Sequence, residues 1–356
     1  MERPTIYVIG RDARSQQALE SALGNAFDLV DQTSLANLIV APLGTAGTVR
    51  GGDAGHVFTY IPEEQTDVPR ALRDGALYCI AEPIDPHVLR AVVARCVEER
   101  ARMRTNEQHA HRWRQDLARA ANLQRAMLPE PEARLNRAGV SVAVRCRQCA
   151  EVGGDLVDYA EAEGCATVLL ADVAGHGVSA ALLTTLVKCA FINSASFAYQ
   201  PSAIVSAILP SLRPFDAGQF ITMIVARIDA KRGNIEYVNA GHPAGWLFQR
   251  DKIIAELPAT NAPLQGDGKA TDYQPQKVDL PNHAGLLLYT DGLMDAVGDG
   301  GRFGAERTRE ILQRCRGGGA TLLDRILSGL DAFTTGRPLT DDVTLATVTI
   351  GFPGLA

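Results

Sequence analysis

The stretch at residues 97–128 constrains the architecture of this chain more than any other feature. It is rich in Arg, Gln, Glu and Ala, and it contains neither Gly nor Pro before Pro129 and Pro131. This composition predicts a long helix, which ends at the prolines because proline cannot continue the helical hydrogen-bond pattern. The helix therefore separates an N-terminal region from a C-terminal region of different character.

The length of the chain agrees with a division into several parts. At 356 residues it exceeds what one hydrophobic core usually organises. Its 46% hydrophobic and 21% charged residues are typical of a soluble globular protein. We therefore predict an N-terminal domain at residues 1–97, a helical coiled-coil linker at 98–130 and a C-terminal domain at 131–356.

Charge and cysteine content argue against several classes of function. The formal net charge of −6 is unfavourable for a mainly electrostatic nucleic-acid binder. We find neither a leader pattern nor an uninterrupted apolar stretch of about 18 residues, so we expect a cytoplasmic protein without a membrane or nucleic-acid partner. The seven cysteines are odd in number and scattered, which is not a disulfide framework. Cys146 and Cys149 lack the second ligand pair that a zinc site needs.

Residues 1–97 alternate between strand-like and helix-like patterns. Short apolar runs predict strands at 6–9, 38–40, 57–60 and 77–81, and helical spacing predicts helices at 15–23, at 68–74 and from about Pro86. This order predicts a small, doubly wound, flavodoxin-like α/β domain with a parallel sheet.

The second half of this domain, at residues 71–76 and 82–86, resembles response-regulator receiver domains. Receivers carry an acidic pair after the first strand, a phosphoacceptor Asp after the third strand and a Lys before a proline. Here Gly10-Arg11, Ala41-Pro42 and Glu82 occupy those places. The chain therefore lacks the nucleophile, the Mg²⁺ ligands and the cation that phosphorylation requires. We predict a degenerate (pseudo) receiver domain without a phosphoacceptor, which responds to a binding partner or ligand instead.

A heptad pattern runs along the predicted linker. Its seam consists of Met103, Asn106, Ala110, Trp113, Leu117, Ala120, Gln124 and Met127. This spacing is typical of a short coiled coil, in which the polar residues Asn106 and Gln124 fix the register. We predict a parallel homodimer through residues 98–128, in preference to a helix packed on its own domain. The arginines between Arg95 and Arg125 lack interleaved aromatic residues apart from Trp113, which favours a solvated face over a nucleic-acid surface.

After Pro131 the sequence becomes rich in strand patterns with turn residues between them. Strands are predicted at 140–144, 166–170, 220–228, 234–238, 245–248, 285–289 and 343–350, and helices at 178–191, 201–212, 305–314 and 320–333. Many strands next to a few helices predict a sandwich of two sheets flanked by helices.

Four short motifs place aspartates beside these strands. They are Glu-Val-Gly-Gly-Asp ending at Asp155, Ala-Asp-Val-Ala-Gly-His-Gly with Asp172, Thr-Asp-Gly with Asp291, and Thr-Asp-Asp with Asp341 and Asp342. A single Asp-Gly after a strand is usually a turn. The ordered set is more specific, because carboxylate oxygens are the ligands that hard divalent cations prefer, and glycines allow the backbone to approach a ligand closely. A bound metal pair offsets the mutual repulsion of such carboxylates and lowers the pKa of a bridging water.

With the segment 239–243 and the helix 178–191, these motifs resemble the metal-dependent protein phosphatases of the SpoIIE/RsbU branch of the PPM superfamily, over residues 117–350. The resemblance implies an α-β-β-α sandwich with two Mn²⁺ or Mg²⁺ ions that hydrolyses phosphoserine or phosphothreonine. By motif position it implies that Asp172 bridges both metals, that the Val173 carbonyl is a backbone ligand, that Asp291 and Asp341 hold one metal, and that Asp155 completes the site directly or through water.

Several residues near these motifs are assigned roles other than metal binding. Asp342 is expected to support the ligands rather than to bind metal. His176 and His242 are candidates for a general acid, but for both a structural role is preferred. Arg145 and Arg147 are the nearest candidates for a phosphate-clamping arginine. The chain departs from the family pattern at Leu156-Val157, Asp295 and Pro210, where an aromatic pair, Glu and Asn are common.

The expected function is therefore hydrolysis of phosphoserine or phosphothreonine on a partner protein. Family analogy suggests an anti-sigma factor antagonist of the STAS type in bacterial signalling as the substrate. The alternative is a catalytically degenerate adaptor that works by partner switching. The survival of all four aspartates favours the enzyme, because mutually repelling acids have no evident use without a metal.

Overall fold

A computed structural model describes the protein at residues 3–45, 54–60, 62–175, 177–214, 219–266 and 272–351. The chain forms two compact units, Met1–Arg114 and Gln115–Ala356. The division between them falls inside the predicted linker. The finer separation into a domain, a linker at 98–130 and a second domain stays a prediction.

A parallel sheet forms the centre of the first unit. Its described strands lie in the order β2-β1-β3-β4-β5, which is the flavodoxin-like order of a doubly wound sheet. In chain order the elements are β1 (Thr5–Val8), α1 (Ala13–Leu23), β2 (Asp28–Val30), β3 (Leu38–Pro42), β4 (Gly55–Tyr60), α2 (Val68–Arg73), β5 (Tyr78–Ala81) and α3 (Pro86–Met127).

Strand β3 shows why this sheet is covered on both faces. Leu38 belongs to one apolar cluster together with Leu19 of α1 and Leu89 of α3, whereas Ile39 belongs to a second cluster with Ala71 of α2. Successive side chains of a strand point to opposite faces, so a strand between two helical layers is apolar at every position. The continuous apolar run predicts β3 for this reason. The short strand β2 has little burial, and the pattern missed it.

Helix α3 is continuous from Pro86 to Met127, whereas the sequence suggested two successive helices. Along the predicted heptad seam, Met103 and Trp113 are exposed. Gln124 is buried, and it hydrogen-bonds residues of its own chain. The prediction that Gln124 fixes the register of a dimer is therefore wrong, because its amide is already used within the second unit.

The second unit contains two antiparallel sheets. Its elements are β6 (Glu132–Leu135), β7 (Val140–Arg147), β8 (Asp155–Ala162), β9 (Cys165–Val173), α4 (Val178–Asn193), α5 (Pro201–Leu212), β10 (Phe220–Asp229), β11 (Asn234–Ala240), β12 (Gly245–Gln249), β13 (Lys252–Leu257), β14 (Leu264–Gln265), β15 (Gln276–Asp279), β16 (Ala284–Tyr289), α6 (Asp291–Asp295), β17 (Val297–Gly298), β18 (Gly301–Arg302), α7 (Gly304–Arg314), α8 (Gly319–Thr334) and β19 (Val343–Ile350). The first sheet has the order β15-β11-β10-β9-β8, with β14 beside β10, and the second has the order β13-β12-β16-β19-β7-β6. Strands β17 and β18 form a separate hairpin.

Three apolar clusters show that these elements form four layers. Residues such as Val168 and Leu286 fill the space between the two sheets. Leu169 on the other face of β9 packs with Leu183 of α4, and Leu287 packs with Leu323 of α8. The α-β-β-α sandwich expected from the sequence is therefore the observed architecture of this unit.

Helix α4 belongs to a strongly apolar segment of the chain. The segment Val178–Phe197 is long and apolar enough to cross a membrane by length and composition alone. This is weak evidence, because core helices of soluble proteins pass the same test, and Leu183 and Val187 of α4 lie in the core. Leu182 and Ile192 are exposed.

Candidate active site

Two of the predicted ligands, Asp155 and Asp172, lie side by side on neighbouring strands. Asp155 begins β8 and Asp172 lies near the end of β9, and the two residues are direct partners in the antiparallel register. Like charges directly opposite each other repel. The sequence did not predict β8, because its acidic residues interrupt the apolar pattern.

The other two predicted ligands come from the second sheet. Asp291 is the first residue of α6, two residues after the end of β16, and Asp341 precedes β19, which pairs with β16. Gly292 allows this approach, because a Cβ atom at this position would stand 2.0 Å from the backbone oxygen of Asp342. A side chain at position 292 would therefore push α6 away from the segment that carries Asp341.

The shifted pKa values indicate that these carboxylates influence one another as one acidic centre. Burial, together with the neighbouring Asp172, raises the pKa of Asp155 well above its usual range. Burial first, and then the charges of Asp291, Asp341 and Asp342, raise the pKa of Asp172 to about 7. The pKa of Asp291 is also raised, by burial and by the charge of Asp341. All four aspartates that the motifs singled out therefore contribute charge to one acidic centre.

The donor set fits hard divalent cations, since it consists of carboxylates and a nearby backbone carbonyl. The Val173 carbonyl faces Gly154 closely, because a Cβ atom at Gly154 would stand 2.8 Å from this oxygen. Within the described ranges, no three His, Cys, Asp or Glu side chains are gathered around one point as an ion would require. Such a set suits ions that keep several waters and take few protein ligands each, as Mg²⁺ does.

Thr290 fixes the orientation of Asp155. Its hydroxyl donates a hydrogen bond of 2.9 Å to Oδ2 of Asp155 and accepts one of 3.0 Å from the backbone N–H of Thr344. Thr290 has no solvent exposure. Sequence reasoning missed this role, although Thr290 is part of the Thr-Asp-Gly motif.

Asp342 organises the loop that leads to Asp155. Its Oδ1 accepts a hydrogen bond of 2.8 Å from the N–H of Cys149, and its Oδ2 accepts one of 2.8 Å from the N–H of Gly154. A Cβ atom at Gly153 would stand 2.0 Å from Oδ2 of Asp342, so only glycine fits there. These contacts use both carboxylate oxygens on backbone groups, which favours the predicted supporting role.

Gln124 of α3 holds the same loop from the other side. Its Nε2 donates to the Gly153 carbonyl at 2.8 Å and to Thr184 Oγ1 at 3.2 Å, and its Oε1 accepts from the Gly153 N–H at 3.0 Å. The end of the long helix is thereby connected to the loop before Asp155 and to α4. The heptad pattern found the residue but gave it a different role.

Of the two candidate histidines, the structure describes only His242. His176 lies outside the described residues. His242 is fully buried, and burial lowers its pKa to about 3. Its ring Nδ1 is 2.9 Å from the hydroxyl of Thr222. The backbone N–H of His242 donates to Oδ1 of Asn239 at 2.9 Å. A neutral, enclosed imidazole of this kind favours the predicted structural role.

Arg145 and Arg147 do not serve as phosphate clamps. Arg145 forms ion pairs of 2.8 Å with Glu132 and with Asp324 of α8, and Arg147 pairs with Asp331 of α8. Both side chains therefore lie on the face of β7 that is covered by α8. The prediction was wrong because it used only distance along the sequence to Asp155.

Two of the three departures from the family pattern have a structural explanation. Leu156 and Val157 are buried in the helix-facing and inter-sheet clusters. Asp295 accepts a hydrogen bond of 2.7 Å from Arg302 Nη1. Pro210 lies inside α5. Leu156 and Val157 are thus packing residues, whereas nothing in the structure explains Pro210.

Both sheets of the four-layer sandwich contribute aspartates to the acidic centre. The family model described as Stage II sporulation protein E (SpoIIE) matches residues 162–351, which is more than half of the chain. The chain belongs to the SpoIIE family.

Two curated relatives and one solved structure agree with this assignment. The chain is similar to phosphoserine phosphatase RsbP of Bacillus subtilis (strain 168), with 31% identity over 188 residues that cover 51% of this chain and 46% of the relative. It is similar to phosphoserine phosphatase RsbU of the same strain, with 27% identity over 190 residues that cover 51% of this chain and 54% of the relative. The chain thus spans about half the length of these relatives. The SiaA-PP2C domain of Pseudomonas aeruginosa shares the fold, with a TM-score of 0.58 and 22% identity over 68% of this chain and 99% of that domain.

Proposed function

We propose that this protein is a Mn²⁺- or Mg²⁺-dependent serine/threonine protein phosphatase that acts on a phosphorylated partner protein in bacterial signalling. The observation that carries the proposal is the acidic centre to which Asp155, Asp172, Asp291 and Asp341 contribute, with pKa values raised at the first three. Both curated relatives are named phosphoserine phosphatases. Family analogy makes an anti-sigma factor antagonist of the STAS type the proposed substrate.

Each residue has a defined task in this proposal. Asp172, the Val173 carbonyl, Asp291 and Asp341 would hold two ions, and Asp155 would contribute directly or through water. When bound, the ions polarise the phosphoryl oxygens and lower the pKa of a water near the phosphorus. Thr290 orients Asp155, and Asp342 holds the loop in front of it. No covalent intermediate with the protein is required.

The proposal is tested with a phosphorylated STAS-type protein, Mn²⁺ and the variant Asp172→Asn. We expect turnover to fall by at least about 100-fold, because a proposed metal ligand is lost. Asp229→Asn is the matched control, since Asp229 is a buried aspartate at the far end of β10, next to Arg232. Equal turnover of the two variants and the parent would refute the assignment.

The adaptor hypothesis gives a different result in calorimetry. A phosphatase of this type binds Mn²⁺, and Asp172→Asn weakens that binding. A protein that binds its phosphorylated partner but takes up no Mn²⁺ at millimolar concentration is an adaptor.

For the first unit we propose a degenerate receiver domain that controls the second unit without phosphorylation. In the place of the receiver's acidic pair, Arg11 pairs with Glu64 and, at 2.9 Å, with Glu82. The position of the receiver lysine is thus part of an internal ion-pair cluster. Acetyl phosphate should leave the first unit unlabelled, and transfer of phosphate to any of its aspartates would contradict this proposal.

We also propose a cytoplasmic homodimer that forms through residues 98–128. Met103 and Trp113, two large apolar residues of the heptad seam that are exposed, support it. Removal of one heptad preserves the phase of the seam, whereas a four-residue deletion changes it. We expect the second deletion alone to alter activity, and we expect Trp113→Glu to shift sedimentation towards the monomer. Monomeric sedimentation of the parent would disprove the dimer.

A further inference from the structure

Thr222 continues the row of acidic residues on the first sheet. It is the direct partner of Asp172 in the register of β9 and β10, and Asp172 is in turn the direct partner of Asp155 in β8. Residues directly opposite each other in an antiparallel pair project from the same face, with their Cβ atoms about 5 Å apart. Thr222 therefore places a hydroxyl group beside a proposed metal ligand, on the face that carries the acidic centre.

This row is also the place where solvent reaches the sheet. Within Cys165–Val173, which is strand β9, only Asp172 is not fully buried. In β10, Thr222 is half-buried, whereas Ile221 and Met223 on the other face are buried among the helices. A water molecule can therefore lie beside Asp172 and Thr222.

His242 is the hydrogen-bond partner of the Thr222 hydroxyl. Its ring Nδ1 lies 2.9 Å from Oγ1 of Thr222. Burial lowers the pKa of His242 to about 3, so the imidazole is neutral and carries one ring proton. The backbone of Tyr289 acts on this pKa in the raising direction, as a carbonyl acceptor does. Among the described residues Nε2 forms no hydrogen bond of regular geometry, so this contact is loose, but Nε2 is the nitrogen left for it. The ring proton therefore belongs on Nε2, and Nδ1 is an acceptor.

This tautomer determines what the Thr222 hydroxyl offers to the acidic centre. Because Nδ1 accepts, Thr222 donates its single proton to His242. A hydroxyl oxygen also has two acceptor lone pairs, and within the described residues no hydrogen bond is made to them. Thr222 is thus a fixed acceptor beside Asp172, whereas Thr290 is a donor to Asp155.

We propose that Thr222 accepts a hydrogen bond from the water that attacks the phosphorus, and that His242 positions Thr222 by holding its proton. This inference rests on the function proposed above. In the reaction the water oxygen forms the new bond to phosphorus and the bond to the serine or threonine oxygen breaks. Of the two protons of the water, one goes to the leaving oxygen and the other stays with the phosphate. An acceptor on one O–H group restricts the rotation of the water, so less orientational freedom is lost when it approaches the phosphorus.

Kinetics on the full chain with Mn²⁺ provide the first test, with p-nitrophenyl phosphate as a substrate that needs no partner surface. Thr222→Val keeps the shape of the side chain and removes the hydroxyl. We expect kcat to fall about tenfold, as loss of one hydrogen bond does, and KM to stay within about twofold. Thr222→Ser retains the hydroxyl and should restore kcat. Thr167→Val is the matched control, because it removes a buried hydroxyl of the same sheet that donates to Tyr199 at 3.1 Å.

A double variant separates this role from simple support of the fold. Thr222→Val leaves Nδ1 of His242 buried without a partner, which lowers stability. Thr222→Val combined with His242→Leu removes both partners, and stability in denaturant unfolding should recover. We expect kcat of the double variant to stay as low as that of Thr222→Val, because the acceptor oxygen is still absent. Recovery of kcat together with stability would overturn the proposal.

Bound Mn²⁺ gives a measurement that does not depend on turnover. Electron–nuclear double resonance in H₂O and D₂O detects the exchangeable protons of waters on the ion. We expect these proton couplings to shift in Thr222→Val and to return in Thr222→Ser, with Mn²⁺ affinity in calorimetry within about twofold throughout, because Thr222 is not a ligand. Couplings and kcat equal to those of the parent in Thr222→Val would disprove the role of Thr222 and leave the proposed function intact. A parent that neither binds Mn²⁺ nor hydrolyses the substrate would instead contradict the proposed function, and this inference with it.

Discussion

The hydroxyl of Thr290 lies 2.9 Å from Oδ2 of Asp155 and joins the two sheets at the candidate active site. Asp155 belongs to β8 of the first sheet, whereas Thr290 follows β16 of the second. The orientation of one proposed ligand thus depends on how the sheets pack.

Replacement of this hydroxyl is the first prediction. Thr290→Val keeps the shape of the side chain. It removes the hydroxyl that donates a hydrogen bond to Asp155 and accepts one from the Thr344 N–H. A buried partner left without its hydrogen bond costs about 1–3 kcal/mol. We expect the free energy of unfolding to fall by this amount and Mn²⁺ to bind more weakly in calorimetry. Thr290→Ser retains the hydroxyl and serves as control, and identical Mn²⁺ affinity in all three proteins would exclude an orienting role.

The contact of Gln124 with the loop before Asp155 gives a second prediction. Gln124→Leu has a similar volume but leaves the N–H and the carbonyl of Gly153 without their partner. We expect lower turnover and a need for more Mn²⁺ to reach half-maximal activity, because the loop is no longer held. Leu123→Gln, at the adjacent exposed position, is the control and should behave like the parent. An unchanged Mn²⁺ dependence in Gln124→Leu would show that the loop holds its own position.

A third prediction concerns His242 and acid stability. Its pKa is lowered from 6.5 to about 3 by burial, so only the unfolded chain binds the proton between these values. Stability from the neutral imidazole is therefore present above pH 6.5 and is lost as the pH falls towards 3. At pH 5 the expected loss is about 2 kcal/mol. Because Asp172 titrates over the same range, denaturant unfolding at pH 5 and 7.5 is compared between proteins. The stability at pH 5 relative to pH 7.5 should be higher in His242→Gln than in the parent by about 2 kcal/mol, and it should be unchanged in His283→Gln, where the exposed ring bonds Gly351. The same pH difference in both variants would contradict the prediction.

Regular strands and helices were predictable because burial on two faces leaves a clear pattern in the sequence. Leu169 and Leu170 of β9 serve different cores, and a continuous apolar run results. In strand β8 the buried Asp158 forms an ion pair of 2.6 Å with Lys188 of α4. Such polar residues interrupt the apolar pattern, and the sequence therefore did not predict this strand. A buried ion pair has no signal in the pattern of apolar residues.

The aspartates of the candidate site were also found from the sequence, but their supporting residues were not. Gln124 fits a heptad seam, and helical periodicity alone does not distinguish a dimer partner from the helix's own domain. Arg145 and Arg147 are two residues apart on β7 and therefore share one face of the strand, which α8 covers. Only the packing of the second sheet against α8 shows which face that is.

The last prediction links the acidic centre to metal binding through pH. The pKa of Asp172 is raised from 3.8 to about 7, so the metal-free folded protein holds a proton that the unfolded chain has released between these values. The stability associated with this proton is fully present below pH 3.8 and is lost as the pH rises to about 7, by at most about 4 kcal/mol. Asp172→Asn cannot ionise, and it should become more stable than the parent in EDTA at pH 8 but not at pH 4. Mn²⁺ should reverse this order at pH 8, because it binds the ionised carboxylates of the parent and stabilises the folded state in proportion to its occupancy. Denaturant unfolding of both proteins, with Asp229→Asn as control, measures the effect. A parent that is as sensitive to pH in Mn²⁺ as in EDTA would show that the ions do not bind at these carboxylates.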